Sequence, residues 1–249
     1  AAPQSRYAAR KLGAAIADHG YTLQEARAGA DLTITLSLNS KALGAESFSI
    51  ARKGRAITIA GGDHRGLIYG ALALREQFLN GTPLEKTQPM REQPALPFRG
   101  IKFNTPWDTY RPSSALDQHY ATARNLKFWE DWLDMMVENR FNAFTLWTLH
   151  PFTYMIRPAN FPEASKWTPA EFTAWQHLYR EIFRMAKERG LDTYVVFWSI
   201  FVSEEFAKAH NVATENFYPH YYVPGDTSEI TTSPIAKAIG CRSSMARVS

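Results

Sequence analysis

Leu96-Pro97-Phe98-Arg99-Gly100-Ile101-Lys102-Phe103-Asn104-Thr105-Pro106-Trp107-Asp108 is an apolar, strand-like run that closes on a cluster of polar and aromatic groups. Two later stretches repeat the design. Phe141 to His150 and Leu191 to Ser199 are short strand-like runs, and each ends on Trp beside Thr, His or Ser. A strongly amphipathic helical pattern precedes each of these repeats: Trp129, Trp132, Leu133, Met136 and Val137 form one stripe, and Phe172, Trp175, Leu178, Tyr179, Ile182 and Phe183 the other. Strand, helix, strand, helix, strand with chemistry at the strand ends reads as the opening of a (β/α)8 barrel, whose site lies at the C-terminal ends of its strands.

Working back toward the N-terminus, the pattern changes. Ser5 to His19 reads as a helix with Gly20 past its end, and Asp31 to Leu38 alternates with period two. Glu46–Arg52 and Arg55–Ala60 predict a hairpin across Lys53-Gly54, and Asp63 caps a helix over His64–Leu79 with Gly81 beyond it. The expected class is therefore α/β: a small α+β domain over residues 1–80, a Pro-rich connection over 81–97, and about three strands of an incomplete TIM barrel over 98–230. An irregular tail over 231–249 follows. The segment from Thr105 to Ala123 reads as a long polar loop, and Thr168-Pro169-Ala170-Glu171 as a capping box that starts the second long helix. The acidic residues Glu130, Asp131, Asp134 and Glu138 read as a solvated helix face.

Composition sets outer bounds. With 249 residues, 45% of them hydrophobic, there is ample material for a core, and 28 basic against 24 acidic residues give a mild net charge of +4. That charge is spread out, so a nucleic-acid partner is not expected, and no apolar run reaches the ~20 residues of a membrane span. The single cysteine, Cys241, excludes a disulfide framework. Gly61 to Gly66 lacks the following Lys-Ser/Thr of a phosphate loop, and no His-x-His pair sits on the first strand, so neither a nucleotide cofactor nor a metal is expected. The opening Ala1-Ala2-Pro3-Gln4 suits a mature exported chain, hence a periplasmic or extracellular expectation.

Several short motifs resemble a known group. Gly66-Leu67-Ile68-Tyr69-Gly70 with Leu74-Arg75 is similar to the "G-x-x-Y-G-x-x-x-L-R" helix of the N-terminal accessory domain of β-N-acetylhexosaminidases and α-glucuronidases. Leu96 to Gly100 resembles the hexosaminidase barrel opening, Phe103-Asn104 with Trp107-Asp108 the α-glucuronidase one, and Asn139 to Phe144 the second strand of both. The resemblance implies an exo-acting glycoside hydrolase. In hexosaminidases the Arg of the opening binds sugar hydroxyls, which implies that role for Arg99; the alternative is a structural ion pair. Where hexosaminidases carry His-x-His in the second strand, Thr145 and Trp147-Thr148 stand here.

The residues themselves point to sugar binding at three strand ends. Asp108 can accept two hydroxyl protons, Asn104 can donate and accept, and Trp107, Trp147 and Trp198 offer faces for sugar rings. His150 is a candidate polar contact, and Lys102 can meet an acidic sugar. Glycoside hydrolysis needs two carboxylates, or one and the substrate's own acetamido group. Only Asp108 is placed for this, so the catalytic acids are expected beyond Ser249. The expected partner is an oligosaccharide or glycoside. The competing reading is a non-catalytic carbohydrate-binding or assembly module.

Overall fold

The computed structural model describes residues 2–24, 30–105, 114–147, 154–165, 167–196 and 204–211. The chain divides into two compact units. The first comprises Ala1–Ile101, Glu130–Phe144 and Phe183–Thr193, and the second Lys102–Trp129, Thr145–Ile182 and Tyr194–Ser249.

The first unit begins with α1 (Pro3–Asp18), which starts on a proline and ends where Gly20 takes φ +87°. A four-stranded sheet follows: β1 (Thr33–Leu38), β2 (Phe48–Lys53), β3 (Ala56–Gly61) and β4 (Met90–Glu92), in the order β1-β3-β2-β4. β2 and β3 form the antiparallel hairpin, turning through Gly54 at φ +59°, while β1 joins β3 in parallel. β4 adds to β2 from within residues 81–97, the segment read from sequence as a connection. Alternation decides the faces. Phe48, Ile50, Ile57 and Ile59 point into the core, whereas Ala51 and Thr58 face water.

α2 (His64–Leu79) covers that apolar face and, with Tyr7, Ala8, Leu12 and Ile16 of α1, completes the core. Its N-terminus is capped as the sequence predicts: the Asp63 carboxylate accepts from Gly66 N–H at 2.8 Å. Gly70 marks the closest approach of helix to sheet. A Cβ there would lie 2.6 Å from Ile59 and 3.2 Å from Phe48, so the spacing of glycines in α2 is a packing requirement.

Beyond β4 the chain alternates: β5 (Gly100–Asn104), α3 (Ser114–Arg124), α4 (Leu126–Glu138), β6 (Ala143–Trp147), α5 (Pro169–Glu188), β7 (Asp192–Val196) and α6 (Glu204–Ala209). The three strands form a second sheet in the order β5-β6-β7. Asn142 and Ala143 N–H donate to Arg99 C=O, and Thr105 N–H donates to Trp147 C=O, so β5 and β6 run parallel. Asp192 N–H donates to Asn142 C=O, which sets the start of β7 beside the start of β6. Among the described residues this sheet is open, with no closed barrel. α4 is capped by Asn125 Oδ1, which accepts from Lys127 N–H at 2.9 Å, and α5 by the reciprocal Thr168/Glu171 box.

Two expectations change. Part of the supposed loop over 105–123 is α3, whose face is mostly exposed, with Ala123 its only buried residue. Asp134 and Glu138 do not form a solvated face. Asp134 takes Tyr7 Oη–H at 2.8 Å, Lys11 Nζ at 2.9 Å and Arg189 Nε at 2.6 Å, and Glu138 pairs with Lys11 and Arg75. Their partners lie on distant segments, out of reach of helical periodicity.

Candidate functional site

Among the described residues, the second sheet has one face covered by helices and one left open. Phe103 of β5 turns toward the helices, with its ring 4.7 Å from Trp129 and 5.7 Å from Phe128. By the two-residue period of a strand, Lys102 and Asn104 stand on the opposite face. The same alternation buries Phe144 and Leu146 of β6 and places Thr145 and Trp147 on the open side, where β7 adds Tyr194 and Val196, both exposed.

Lys102 and Trp147 meet on that open face. The ammonium lies 3.8 Å from the centroid of the indole, close enough for a cation-π contact of about 0.5–2 kcal/mol. One face of the ring therefore holds a charge in place. Next to Lys102 on this face, Asn104 keeps its Oδ1 buried without a hydrogen-bond partner. A buried acceptor left open costs about 1–3 kcal/mol and is the kind of group a ligand hydroxyl satisfies. Thr105 locks the end of β5 to β6, its N–H and Oγ1–H both donating to Trp147 C=O at 2.9 and 3.0 Å. The Tyr179 hydroxyl, also bonded to Thr105, is pushed to a high pKa by burial.

Arg99 is placed differently, at the start of β5. Its guanidinium donates to Arg140 C=O, Leu96 C=O, the Glu46 carboxylate and Tyr69 Oη. Glu46 is the hub of this network: it also accepts from Arg65 Nη1 at 3.1 Å and Asn142 Nδ2 at 2.8 Å. Burial opposes ionisation of Glu46, yet the hydrogen bonds from Arg99 and Asn142 and the charge of Arg99 hold its carboxyl below the usual range. Arg65 continues the network to Gly190 C=O and Asp192. In this geometry every branch of the Arg99 side chain is satisfied by the protein itself, as in the ion-pair alternative.

Of the sequence-predicted site residues, the structure brings Lys102 and Trp147 into contact, sets Asn104 on the same face, and puts Arg99 at the other end of the strand. Trp107, Asp108, His150 and Trp198 lie outside the described residues. Tyr194 joins the open face although its run did not single it out; the signal was the same alternation that placed Lys102. Among the described residues no group of three or more His, Cys, Asp or Glu side chains converges on a metal-sized site. No described helix is long and apolar enough to cross a membrane.

A helix-backed four-stranded sheet thus leads into alternating parallel strands and helices. Residues 1–86 match the profile of "Glycosyl hydrolase family 20, domain 2". The fold is shared with an enzyme of glycoside hydrolase family 138 targeting pectin rhamnogalacturonan II, at 24% identity and TM-score 0.74 over 85% of this chain and 32% of that one. It is shared also with a β-N-acetylhexosaminidase from Bacteroides fragilis, at 14% identity and TM-score 0.52 over 85% and 42% of the two chains. An exo β-N-acetylglucosaminidase of family 20 from Vibrio harveyi aligns at 11% identity and TM-score 0.53 over 85% and 34%. The chain thus spans between 32% and 42% of the length of these structures. Comparison with curated protein sequences gives no match.

Proposed function

We propose that this chain is the N-terminal portion of an exo-acting glycoside hydrolase, and that β5, β6 and β7 are the first three strands of its (β/α) barrel. In this reading the open face of those strands holds the sugar. Trp147 supplies a ring wall, Asn104 meets a hydroxyl, and Lys102 meets the carboxylate of an acidic sugar, as the likeness of Phe103-Asn104 to the α-glucuronidase opening implies. In the sequence Trp107 and Asp108 follow β5, His150 follows β6 and Trp198 follows β7, and this reading counts them as sugar contacts as well. Arg99 serves as the structural anchor of β5. The observation that carries the reading is the Lys102 ammonium held 3.8 Å over Trp147 beside the open Asn104 acceptor.

Toward the strand ends that face carries Lys102, Asn104, Thr145, Trp147, Tyr194 and Val196, none of them a carboxylate; Asp192, on the same side at the start of β7, is held by Arg65. Hydrolysis needs at least one acid, so the described strands bind and do not cleave. The same fact favours a second reading, a carbohydrate-binding module without turnover.

The test is tryptophan fluorescence titration with a glucuronate-terminated and a neutral disaccharide, together with release of monosaccharide from aryl glycosides. The acidic sugar should bind preferentially, and Lys102→Met should weaken it by about tenfold, the ~1.4 kcal/mol of one charge-assisted contact. Full-length protein should hydrolyse an aryl glycoside that this chain leaves intact. Activity from this chain alone, or sugar binding unchanged by Lys102→Met, overturns the proposal; binding by a full-length protein that never turns over selects the module.

A further inference from the structure

We propose that Thr145 and Tyr194 form, together with Lys102, a three-donor seat for the carboxylate of an acidic sugar and so decide between a uronate and its neutral counterpart; this rests on the function proposed above. Register places the three residues. Ala143 N–H donates to Arg99 C=O and Thr105 N–H to Trp147 C=O, which in a parallel pair sets Lys102 beside Thr145 and Asn104 beside Trp147. Asp192 N–H donates to Asn142 C=O, and the same pattern sets Tyr194 on the other side of Thr145 and Val196 beside Trp147. Lys102, Thr145 and Tyr194 thus stand in one row across β5, β6 and β7, all on the open face.

Side-chain length gives this row its shape. Neighbouring strands lie about 4.8 Å apart, so the two outer residues of the row are about 10 Å apart, and both are long while Thr145 between them is short. The row is therefore a notch with Thr145 as its floor and the Lys102 stem and the Tyr194 ring as its sides. Exposure agrees: Tyr194 is 46% exposed and Lys102 exposed, whereas Thr145 is half-buried. Trp147, one row further toward the strand ends, holds the Lys102 ammonium 3.8 Å from its ring centroid and so fixes one side of the notch.

The donors of the notch are available to a ligand. Among the described residues the Lys102 ammonium has no carboxylate partner, and the Thr145 hydroxyl makes no hydrogen bond. Asp192, the acid nearest along β7, is engaged by Arg65. The indole face steadies the ammonium without neutralising it. An ammonium, an aliphatic hydroxyl and a phenol together supply donors for both oxygens of a carboxylate, and each such bond is charge-assisted. A hydroxymethyl group in the same place gains no charge-assisted bond from the two hydroxyls. A sugar seated this way points its carboxylate into the row and its ring toward Asn104 and Trp147 in the next.

The experiment is tryptophan fluorescence titration of the full chain with methyl glucuronide and methyl glucoside, which differ only in carrying a carboxylate or a hydroxymethyl group. Thr145→Val and Tyr194→Phe keep the shape of each side chain and remove its hydroxyl. Each should weaken glucuronide binding about tenfold, the worth of one hydrogen bond to a charged group, and leave glucoside binding unchanged. An equal loss for both sugars assigns the hydroxyl a structural role and overturns the seat. So does a glucuronide preference that falls in Lys102→Met yet persists in either hydroxyl variant, an outcome that leaves the acidic-sugar reading standing. Absence of binding of either sugar overturns that reading and the seat with it.

Discussion

Replacing Glu46 with alanine should destabilise the first unit more than any exposed ion pair can. The carboxylate collects Arg99, Arg65 and Asn142, and the side chains of Glu46, Arg99 and Arg65 are 12%, 16% and 23% exposed. An isolated surface pair contributes about 0–1 kcal/mol. Here truncation leaves two largely covered guanidinium groups and the buried Asn142 amide without their acceptor; loss of one member of a buried pair costs about 3–5 kcal/mol. Residual exposure of the two arginines discounts this to about 2–4 kcal/mol. Backbone strain gives a second handle. Glu46 sits at φ +60°, a region that costs a non-glycine residue about 1 kcal/mol, so Glu46→Gly should recover roughly that much relative to Glu46→Ala. The pH dependence follows from the depressed pKa. The stability Glu46 supplies is fully present above its unfolded value near 4.3, and it fades as pH falls through the lower folded value. Glu46→Gln should lose that acid limb while keeping one acceptor. Urea unfolding followed by circular dichroism, repeated from about pH 3 to 7, measures all three variants. A Glu46→Ala midpoint that converts to less than about 0.5 kcal/mol, or an acid limb unchanged in Glu46→Gln, refutes the hub.

The remaining predictions concern single contacts. Gly66→Ala would bring a Cβ within 2.1 Å of Ser47 C=O, so it should cost at least about 2 kcal/mol in urea unfolding, where an ordinary exposed helical Gly→Ala stabilises. Thr168→Ala removes one half of the reciprocal cap of α5 and should cost about 1 kcal/mol, read as faster amide exchange confined to the first turn. Asp134→Asn leaves the Arg189 guanidinium without its charge partner and should cost about 3 kcal/mol by the same unfolding measurement; a loss under about 1 kcal/mol would mean that a neutral amide oxygen serves Arg189 as well as the carboxylate does.

Where the fold depended on neighbours in sequence, it was legible there. Asp63 before an apolar helix, Gly54 between alternating runs, and Thr168-Pro-Ala-Glu171 each carry their structural reason within a few residues, and each takes the expected conformation. α3 was not legible because Ser114–Arg124 buries little and so writes no apolar stripe. β4 was hidden because Met90–Glu92 is held by backbone pairing to β2, which leaves no pattern in three residues. The ionic networks depend on partners far along the chain, such as Lys11 with Asp134 or Glu46 with Asn142. For Arg99 the sequence offered two roles, and its pairing with Glu46, 53 residues away, was out of reach of any local pattern. For the open face, Lys102 and Trp147 were legible only as separate candidates on their own strands, while their common side and their stacking needed the pairing of β5 with β6.

α2 ties these observations into one argument. Arg65, Tyr69 and Glu76 fall within about 40° of one another around the helix, at 100° per residue. Each reaches the last few residues leading into a strand or the strand's first residue: Arg65 meets Gly190 and Asp192 at β7, Tyr69 meets Phe141 before β6 and Arg99 before β5, and Glu76 pairs with Arg140 before β6. The helix therefore fixes where three strands begin. Lys102, Asn104 and Trp147, by contrast, lie toward the strand ends, and from Arg99 to Asn104 the chain advances about 16 Å. Stability at strand starts and binding at strand ends is the division of labour expected of a parallel α/β sheet. It predicts that the two sets act independently: in a Glu46→Gln/Lys102→Met cycle, each single change should move only its own readout, unfolding for the first and acidic-sugar affinity for the second. The double variant should sum the two within about 0.5 kcal/mol. A coupling above about 1 kcal/mol would mean that the strand starts tune the sugar face itself, and the two ends of β5 would then have to be treated as one site.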